Sequence, residues 1–464
     1  MRSATVTAVC LPDLQAERAQ LAAMLAGAGL RADGSAARTV ELRTDRGAAD
    51  RGGECDADGG ADHGADGGAD HGADSGAGCG VVAWARSGLM DLTGCPCGPP
   101  LAPSSPVLAR VGLIADAIAS LTGRRGRPVS LDVPALLTSR ASLFGRRRRG
   151  SVSVNGHCRM LRAADGWVAV NLSRPCDIAS VPAVIGRELR AAAWHELAAD
   201  AAAMDGAELA AAAQLVGIPA ATPGSAADMA AVRFRRLGEP GSAPPFVLDL
   251  TAMWAGPLCA RILHQAGWHV LKVEDSRRPD GVRSGPAAFY ASLHAGIPAV
   301  RLDFGSAPGR SALRRLAAQA GVVLESSRPR ALRQLGLVAE EWLAESPGRI
   351  WVSVTGYGRD DLGQRAAFGD DAAVAGGLVA WSADGSPVFC GDAIADPLTG
   401  IVAALGGLAA SAGEGGLLVD VAMAGVCAEL ARQPDGRRVA HPVTQDRDRW
   451  LVRHGGHTAV VRPC

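Results

Sequence analysis

The clearest pattern of hydrophobic and polar positions in this 464-residue chain lies between residues 246 and 354. Short apolar runs there predict strands at Phe246–Leu250, His269–Val273, Ala299–Phe304, Val322–Glu325 and Ile350–Val354. Amphipathic stretches between the runs predict helices at 257–267, 309–319, 330–335 and 338–345. Strands that alternate with helices are typical of parallel βαβ units. The pattern therefore predicts a doubly wound, Rossmann-like α/β domain with a parallel sheet over residues 246–430.

Weaker patterns divide the rest of the chain. Residues 81–235 mix short apolar runs with alanine-rich stretches and predict a smaller α+β domain. Its predicted elements are a strand at Val129–Val133, a hairpin strand at Trp167–Asn171 after the turn Ala163–Gly166, and helices near 188–203 and 206–215. The other predicted segments are an N-terminal helical segment at 1–35 with a helix over 12–30, a disordered low-complexity linker at 36–80, a second linker at 236–245 and a C-terminal tail at 431–464.

Charge and cysteine content argue against several classes of function. The chain has 47 basic and 47 acidic residues, so nothing favours binding to nucleic acid or to an anionic membrane. No window approaches the roughly 18 consecutive apolar residues of a membrane helix, and the first residues lack the apolar core of a secretory signal. Eleven cysteines without a C-x-x-C pair argue against a zinc ribbon or a disulfide scaffold. We expect a cytoplasmic protein without a metal site, since the repeats that carry His63 and His71 are a weak chelator at most.

The loops after the predicted strands carry groups suited to a phosphate-containing ligand, because parallel sheets bind ligands beyond the carboxyl ends of their strands. The loop Thr251–Pro257 leads into a helix N-terminus, which can hold phosphate. The loops Glu274–Arg283 and Glu325–Arg330 carry arginines that are either polyphosphate ligands or ordinary surface residues. The absence of G-x-G-x-x-G argues against a nicotinamide dinucleotide. The run Arg146–Arg149 is either a solvated loop or a further phosphate site.

Asp396 is the candidate for covalent chemistry. It lies directly ahead of the small-residue apolar run Ile401–Ala410, where desolvation would make a carboxylate a better nucleophile or base. The alternative is that Asp396 only caps the following helix. Asp392, four residues earlier, is the rival carboxylate.

Other nucleophiles have less support in the sequence. The motifs of zinc hydrolases, P-loop enzymes and serine hydrolases are absent. Cys259 has His264 five residues later, a separation that does not aim the two side chains at each other on one helix. Cys390 has no histidine close in sequence.

Seven segments follow one another between residues 246 and 425. They are Val247–Thr251 with Ala255–Pro257, Val270–Glu274, Leu302–Phe304, Glu325–Gly336, Val354–Gly358, Gly369–Asp371 and Ile394–Leu405. In order and rough spacing they resemble the family III CoA-transferases of the CaiB/BaiF type. No single segment is decisive, but the series of seven is specific.

The resemblance implies a function. In that family an acid at the position of Asp396 attacks an acyl-CoA thioester, and CoA then passes to a carboxylic acid acceptor. The implied partners are therefore acyl-CoA and carboxylic acid substrates, with coenzyme A as a substrate and no separate cofactor. The resemblance also implies CoA contacts at Trp254, Ala255, Glu274, Ser326, Ser327, Arg328, Gln334 and Leu335.

The chain also departs from the family. Racemases of the superfamily carry a histidine where this chain has Asp370, which favours a transferase over a racemase or isomerase. Residues before 246 resemble family segments out of order, as in a duplication that has lost pieces, and Pro106 stands at the nucleophile's place in that first copy. The glycine-rich lid of the best-known members is not found, so an inactive pseudoenzyme that binds acyl-CoA or a partner subunit is the other alternative. Family members form interlocked dimers, and this chain either forms a homodimer or satisfies that contact internally.

Overall fold

The computed structural model describes residues 75–359, 364–433, 442–447, 449–454 and 457–464. The predicted segment 1–35, the repeats that carry His63 and His71, and all but the last residues of the predicted linker 36–80 lie outside the described residues.

The bounds of the secondary structure are as follows. The strands are β1 Cys158–Arg162, β2 Trp167–Asn171, β3 Ala220–Ala221, β4 Val232–Arg236, β5 Phe246–Leu250, β6 His269–Asp275, β7 Ala299–Leu302, β8 Val322–Glu325, β9 Ile350–Thr355, β10 Val379–Trp381, β11 Pro387–Phe389, β12 Leu417–Ala422, β13 Val443–Asp446, β14 Arg449–His454 and β15 His457–Val460. The helices are α1 Ser75–Arg86, α2 Val107–Gly123, α3 Val133–Leu143, α4 Pro175–Ile185, α5 Ala193–Ala201, α6 Gly206–Leu215, α7 Ala255–Gln265, α8 Ala287–His294, α9 Ala307–Gln319, α10 Pro329–Gln334, α11 Ala339–Ala344, α12 Gly369–Ala375, α13 Ala395–Ala412 and α14 Met423–Ala431.

A seven-stranded sheet in the order β4-β12-β9-β8-β5-β6-β7 lies at the centre of the protein. Its neighbouring strands are parallel except for the pair β4 and β12. From β5 the chain proceeds through β6 and β7 on one side and through β8, β9 and β12 on the other, so the strand order reverses between β5 and β8. The predicted doubly wound α/β fold is confirmed. Such sheets bind ligands at this point of reversal, beyond the carboxyl ends of the strands.

The central strands are buried because helices cover both faces of the sheet. Every residue of β8, β9 and β12 is buried. Helices α7 and α13 pack on one face, and α9 and α11 pack on the other. Helix α13 is long and apolar enough to cross a membrane, but 83% of its apolar window is buried inside the protein. It is therefore a core helix in this fold.

The smaller α+β part is an antiparallel sheet of β1, β2 and β3 packed against α4, α5 and α6. The pairing of Arg162 with Trp167 closes the predicted hairpin. The predicted strand at Val129–Val133 is wrong, because α3 begins at Val133 and Asp132 caps it by accepting a hydrogen bond from the Ala135 amide at 3.1 Å. An N-cap aspartate followed by Pro134 in the first turn is a helix-start signal that outweighs the β-branched residues.

Core packing crosses the predicted domain boundaries, which stay predictions. Helices α1, α2 and α3 share one hydrophobic core with α7 and α13. Strand β4 precedes the predicted linker 236–245, yet it pairs with β12 in the large sheet. Strands β13, β14 and β15 form an antiparallel sheet that packs against α1. Residues before 246 therefore build part of the same core as residues after it.

Candidate active site

Asp396 lies in the first turn of α13. Helix α13 crosses α7 closely at Gly400, where an added Cβ would lie 2.6 Å from the carbonyl oxygen of Ala255. This contact places the start of α13 beside the start of α7, which follows β5. The capping interpretation of Asp396 is not supported, because the N-cap residue is Ile394 and no side chain caps this helix end. Its carboxylate is free for chemistry.

The surroundings of Asp396 favour its protonated form. The side chain keeps a partly exposed surface, but the packed protein around it removes much of its hydration. This burial, assisted by the charges of Asp370 and Asp392 and opposed by Arg140, raises the pKa of Asp396 to about 7. Near neutral pH the carboxyl group is therefore divided between its acid and its carboxylate forms.

Asp392, the rival carboxylate, is already engaged. It is fully buried, and Arg140 of α3 donates to its two oxygens, from Nε at 2.7 Å and from Nη2 at 2.5 Å. Arg146 donates to the same carboxylate at 3.3 Å. The Arg140 guanidinium also lies 5.0 Å from the centre of the Trp254 ring. Asp392 thus anchors residues from distant parts of the chain, whereas no hydrogen bond from a described residue reaches the carboxylate of Asp396.

Two further acids, Asp370 and Asp371, lie at the start of α12 and are buried. Asp370 accepts hydrogen bonds from the Ala393 amide at 2.9 Å and from Asn155 Nδ2 at 2.5 Å. Asp371 accepts from Asn171 Nδ2 at 3.1 Å. Burial and the charge of Asp392 raise the pKa of Asp370 to about 6, and burial raises that of Asp371 well above its usual value. Asp370, Asp392 and Asp396 thus form a three-carboxyl cluster with Arg140.

The first loop after the sheet, Thr251–Pro257, is held rigidly. Lys272, the sole lysine, is fully buried and donates to the Thr251 carbonyl at 2.8 Å, with Nζ 3.2 Å from Asp280 Oδ2. Asp280 in turn accepts from the Met253 amide at 3.0 Å. Met253 has a φ of 72°, a left-handed conformation that costs energy in a non-glycine residue. The buried charges therefore fix this loop in a shape that it would not adopt alone.

The arginines of the neighbouring loops divide into two groups. Arg283 is occupied by Glu274 at 2.7 Å, and Arg277 pairs with Asp303 at 2.6 Å. In the second group, Arg328 forms no ion pair with any described residue, and burial together with the positive charges of Arg330, Arg174 and Arg278 lowers its pKa. Arg174 donates to the Gly217 carbonyl at 2.8 Å, and an added Cβ at Gly217 would lie 3.5 Å from Arg328 Nη2. Arg174 is itself paired with Asp177 at 2.7 Å. We call Arg174, Arg278, Arg328 and Arg330 the arginine cluster; the positive charges around Arg328 favour an anionic ligand beside it.

The predicted CoA contacts differ in burial and in the hydrogen bonds that they already form. Trp254 and Ala255 are buried, and Trp254 packs edge-to-face on Phe289 with ring centres 5.3 Å apart. Glu274 already accepts from Arg283, the Asp280 amide and Tyr290; although burial would raise its pKa, these hydrogen bonds lower it to about 2.

The other predicted contacts lie on the third loop and on α10. Ser326 Oγ accepts from the Ala252 amide at 3.2 Å and so joins the first loop to the third. Ser327 and Leu335 are half-buried, and Gln334 is exposed at the end of α10. Their contacts with CoA stay predictions.

The two buried cysteines and the run Arg146–Arg149, which the sequence raised as further candidates, are poorly placed for chemistry or for binding a ligand. Burial raises the pKa of Cys259 and of Cys390, so neither is a ready thiolate nucleophile. In the run Arg146–Arg149, Arg147 and Arg148 pair with Asp91 at 3.1 and 3.3 Å. This run is therefore largely occupied by acids of the same protein. Within the described part of the chain, no group of three histidine, cysteine, aspartate or glutamate side chains is placed to hold a metal ion.

Comparison with known proteins identifies the domain that contains this site. Residues 246–447 match the family described as CoA-transferase family III. Residues 246–447 are a family III CoA-transferase domain. This transferase domain includes the three-carboxyl cluster, the rigid first loop and three of the four arginines of the arginine cluster; Arg174 precedes it.

Curated relatives of the transferase domain carry CoA-transferase names. The succinyl-CoA–D-citramalate CoA-transferase of Chloroflexus aurantiacus is 33% identical in an alignment of 174 residues that covers 35% of this chain and 43% of that protein. The succinyl-CoA:mesaconate CoA-transferase of Haloarcula hispanica is 31% identical in an alignment of 202 residues that covers 38% of this chain and 50% of that protein. The chain thus spans about half the length of these relatives.

One solved structure resembles part of the chain. The crystal structure of a CaiB/BaiF family protein from Brucella suis is 28% identical and covers 40% of this chain and 55% of that one, with a TM-score of 0.36. The assignment of the transferase domain rests on the sequence match.

Sequence reasoning missed several side chains around Asp396. Arg140, Asn155 and Asn171 precede the transferase domain, yet they bond to the acids Asp392, Asp370 and Asp371. Nothing in the local sequence marks these three residues. The one available signal was the need for partners of buried carboxylates, which does not say where in the chain the partners lie.

Proposed function

We propose that this protein is a CoA-transferase that moves CoA from an acyl-CoA to a carboxylic acid, with Asp396 as the nucleophile. A carboxylate oxygen of Asp396 attacks the thioester carbonyl, the C–S bond breaks, and CoA leaves as a thiolate. The thiolate then attacks the aspartyl carbonyl of the resulting anhydride, which releases the donor acid and leaves CoA on Asp396. The acceptor carboxylate attacks this aspartyl thioester, and the returning thiolate takes the acceptor's acyl group, which regenerates Asp396.

The partly exposed, weakly hydrated carboxyl of Asp396 within a family III CoA-transferase domain is the observation that carries this proposal. A carboxylate with reduced hydration is a stronger nucleophile than one in water. Asp392 is unsuited to this role, since both of its oxygens are bonded to arginine in a fully buried site.

The arginine cluster supports the same proposal from the ligand's side. CoA carries a pyrophosphate and a further phosphate, and guanidinium groups pair with phosphate through two parallel hydrogen bonds. The cluster includes Arg328 on the loop after β8, beside the point where the strand order reverses. An anionic ligand there would relieve the repulsion that Arg328 experiences from Arg330, Arg174 and Arg278.

A racemase or isomerase that acts on acyl-CoA is the second candidate, and one observation favours it. The pKa of Asp370, raised to about 6 by burial and by the charge of Asp392, is that of a usable general base. Against this, Asp370 is buried, and its two oxygens accept from the Ala393 amide and from Asn155. A base that must accept a proton from a substrate needs an oxygen that is open to the site.

One experiment separates the candidates. The protein is incubated with acyl-CoA in deuterated buffer and quenched with hydroxylamine, and the peptide spanning residues 389–400 is mapped by mass spectrometry. The acyl-CoA panel starts with succinyl-CoA, with mesaconate and citramalate as acceptors, because the relatives act on these compounds by name. A transferase yields a hydroxamate at Asp396, which the variant Asp396→Asn lacks. Deuterium in the recovered acyl chain without an adduct would identify a racemase, and neither signal would identify a binding protein.

A further inference from the structure

We propose that Arg140 is a positioning residue of the candidate active site: it fixes the Phe389–Ala395 segment through Asp392 and supplies, within its own chain, the positive charge that faces Asp396. The inference rests on the proposed function, because Asp396 matters as the nucleophile of CoA transfer. The first test measures only the ionisation of Asp396 and does not depend on CoA transfer.

The Phe389–Ala395 segment has a strained backbone and is held by side chains from other parts of the protein. Ala393 has a φ of 44°, which is the left-handed region and is strained for a residue with a Cβ. The helix that follows has no side-chain cap, so its first turn takes its position from the segment ahead of it. The position of Asp396 is therefore decided by what holds residues 391–393.

Four side-chain contacts hold these residues, and three of them come from outside the transferase domain. Thr93 Oγ1 accepts from the Gly391 amide at 3.3 Å, and Asp370 accepts from the Ala393 amide at 2.9 Å. Between these two points Arg140 bonds to both oxygens of Asp392, and Arg146 donates to one of them at 3.3 Å. The two-point geometry of a guanidinium on a carboxylate fixes orientation as well as distance. Arg140 is thus the strongest of the four anchors.

Arg140 is also the favourable charge for the ionised form of Asp396. The charged groups that act on Asp396 are Arg140 from α3, Asp370 from α12 and Asp392 from the preceding segment. From α14, Cys427 is the titratable group that feels the charge of Asp396. Arg140 is the one cation in this set, so its removal leaves Asp396 facing only like charges.

Arg140 lies beside Asp392 of the same chain because α3 packs in the core with α7 and α13. Helix α3 is part of the hydrophobic core that also contains α13 and α7, and Arg140 stacks on Trp254 at the start of α7. The contact joins residues 252 positions apart in sequence. Arg140 and the carboxylate that it orients therefore come from one chain.

The first test measures the ionisation of Asp396 directly. A diazo reagent esterifies protonated carboxyl groups with loss of N2, and peptide mass spectrometry follows ester formation at Asp396 against pH. We expect Arg140→Gln to move the midpoint upward by about one pH unit, as loss of an adjacent opposite charge does. Arg140→Lys should keep the midpoint near that of the unchanged protein. The control is Arg125→Gln, since Arg125 also bonds into the transferase domain, at Ser411 Oγ, but far from the site.

The second readout is kcat for CoA transfer. Arg140→Gln should lower it about 100-fold, the effect of a misplaced reacting group, and Arg140→Lys should recover only part because an ammonium cannot bind both oxygens in the same way. If Arg140→Gln does not fold, Arg140→Gln with Asp392→Asn removes both buried charges and serves in its place. That double variant should keep a near-normal midpoint and lose kcat. An unchanged midpoint in Arg140→Gln, or an unchanged kcat in the double variant, would overturn the proposal.

The third readout tests whether Arg140 acts in its own chain. Chains that carry Arg140→Gln and chains that carry Asp396→Asn are produced together with different affinity tags, and doubly tagged and singly tagged species are assayed. We expect no recovery of transfer, because each chain lacks one part of its own site. Recovery well above either variant alone would show that the site is shared between chains and would overturn this part of the proposal.

Discussion

Arg140 and Asp392 form a two-point ion pair, with Nε 2.7 Å and Nη2 2.5 Å from the two carboxylate oxygens, across 252 positions of sequence. Asp392 is fully buried and Arg140 nearly so. The pair therefore joins the part of the chain before residue 246 to the transferase domain at the point where the candidate nucleophile is placed.

The stability contribution of this pair is testable. Asp392→Ala should lower the free energy of unfolding by about 3 kcal/mol or more, because it leaves a buried guanidinium without its main partner. Replacing both residues, as Arg140→Met with Asp392→Leu, should recover much of the loss because no charge is then stranded. Thermal unfolding of the three proteins at one pH checks this. A double variant as unstable as Asp392→Ala would show that the loss comes from packing and not from the stranded charge.

The two neighbouring acids should differ in their effect on transfer. Asp396→Asn should lower the transfer rate by roughly three or more orders of magnitude, as removal of a covalent nucleophile does. Asp392→Asn should be much milder, since the amide oxygen still accepts a hydrogen bond from Arg140. Steady-state assays of both variants decide the order. The reverse ranking would make Asp392 the reacting carboxylate.

The pH dependence of transfer follows from the pKa of Asp396, which burial raises to about 7. The carboxylate is the nucleophile, so the rate should rise as the pH increases through about 7 and level off above it. A rate profile between pH 5 and pH 9 checks this, with the hydroxamate yield at Asp396 as a parallel measure. A flat profile across this range would contradict the raised pKa.

The same raised pKa predicts how stability depends on pH. The folded protein holds the proton of Asp396 more tightly than the unfolded chain does, so ionisation opposes folding, and this effect grows as the pH rises from about 4 to about 7. Asp396→Asn should therefore unfold at a higher temperature than the unchanged protein at pH 8, with a smaller difference at pH 4. Asp228→Asn is the control, because Asp228 is exposed on a turn. A lower unfolding temperature for Asp396→Asn at pH 8 would contradict the prediction.

The arginine cluster should bind CoA. Arg328→Gln should weaken CoA binding about tenfold or more, which matches the roughly 1.5–3 kcal/mol of a hydrogen bond to a charged group. Arg277→Gln is the matched control, since Arg277 is exposed and paired with Asp303. Calorimetry with CoA, NAD and NADP at two salt concentrations checks both variants. Tight NAD binding without a CoA signal would contradict the assignment of the ligand.

Five of the seven strands in the large sheet could be predicted from sequence, because each of them carries its own local pattern; β4 and β12 were not predicted. Phe246–Leu250 and Ile350–Thr355 are apolar runs of strand length, and their burial on both faces needs no distant information. At Val129–Val133 the β-branched residues misled, because the capping role of Asp132 belongs to the helix that follows. At this position two local signals compete, the β-branched residues that favour a strand and the capping aspartate that favours a helix, and the helix forms.

The candidate site was predictable only in part. Asp396 could be found because the sequence places a charge beside a buried helix. Arg140 and Asn155 could not, since a buried carboxylate requires a donor but does not specify which of many distant donors reaches it. For the same reason the sequence left open whether Arg283 binds a ligand, because nothing in it showed that Glu274 pairs with this arginine.

The packing of α2 against α13 also has a consequence for the newly made chain. Residues such as Ile118 and Val111, which end up in the shared core, leave the ribosome long before Ala395–Ala412 is synthesised. At about 5–20 residues per second the apolar face of α2 stays uncovered for tens of seconds. Strand β4 likewise remains unpaired until β12, its neighbour in the sheet, has been synthesised. Efficient production in a cell should therefore depend on chaperones that shield the nascent chain, and fragments that end before residue 395 should aggregate.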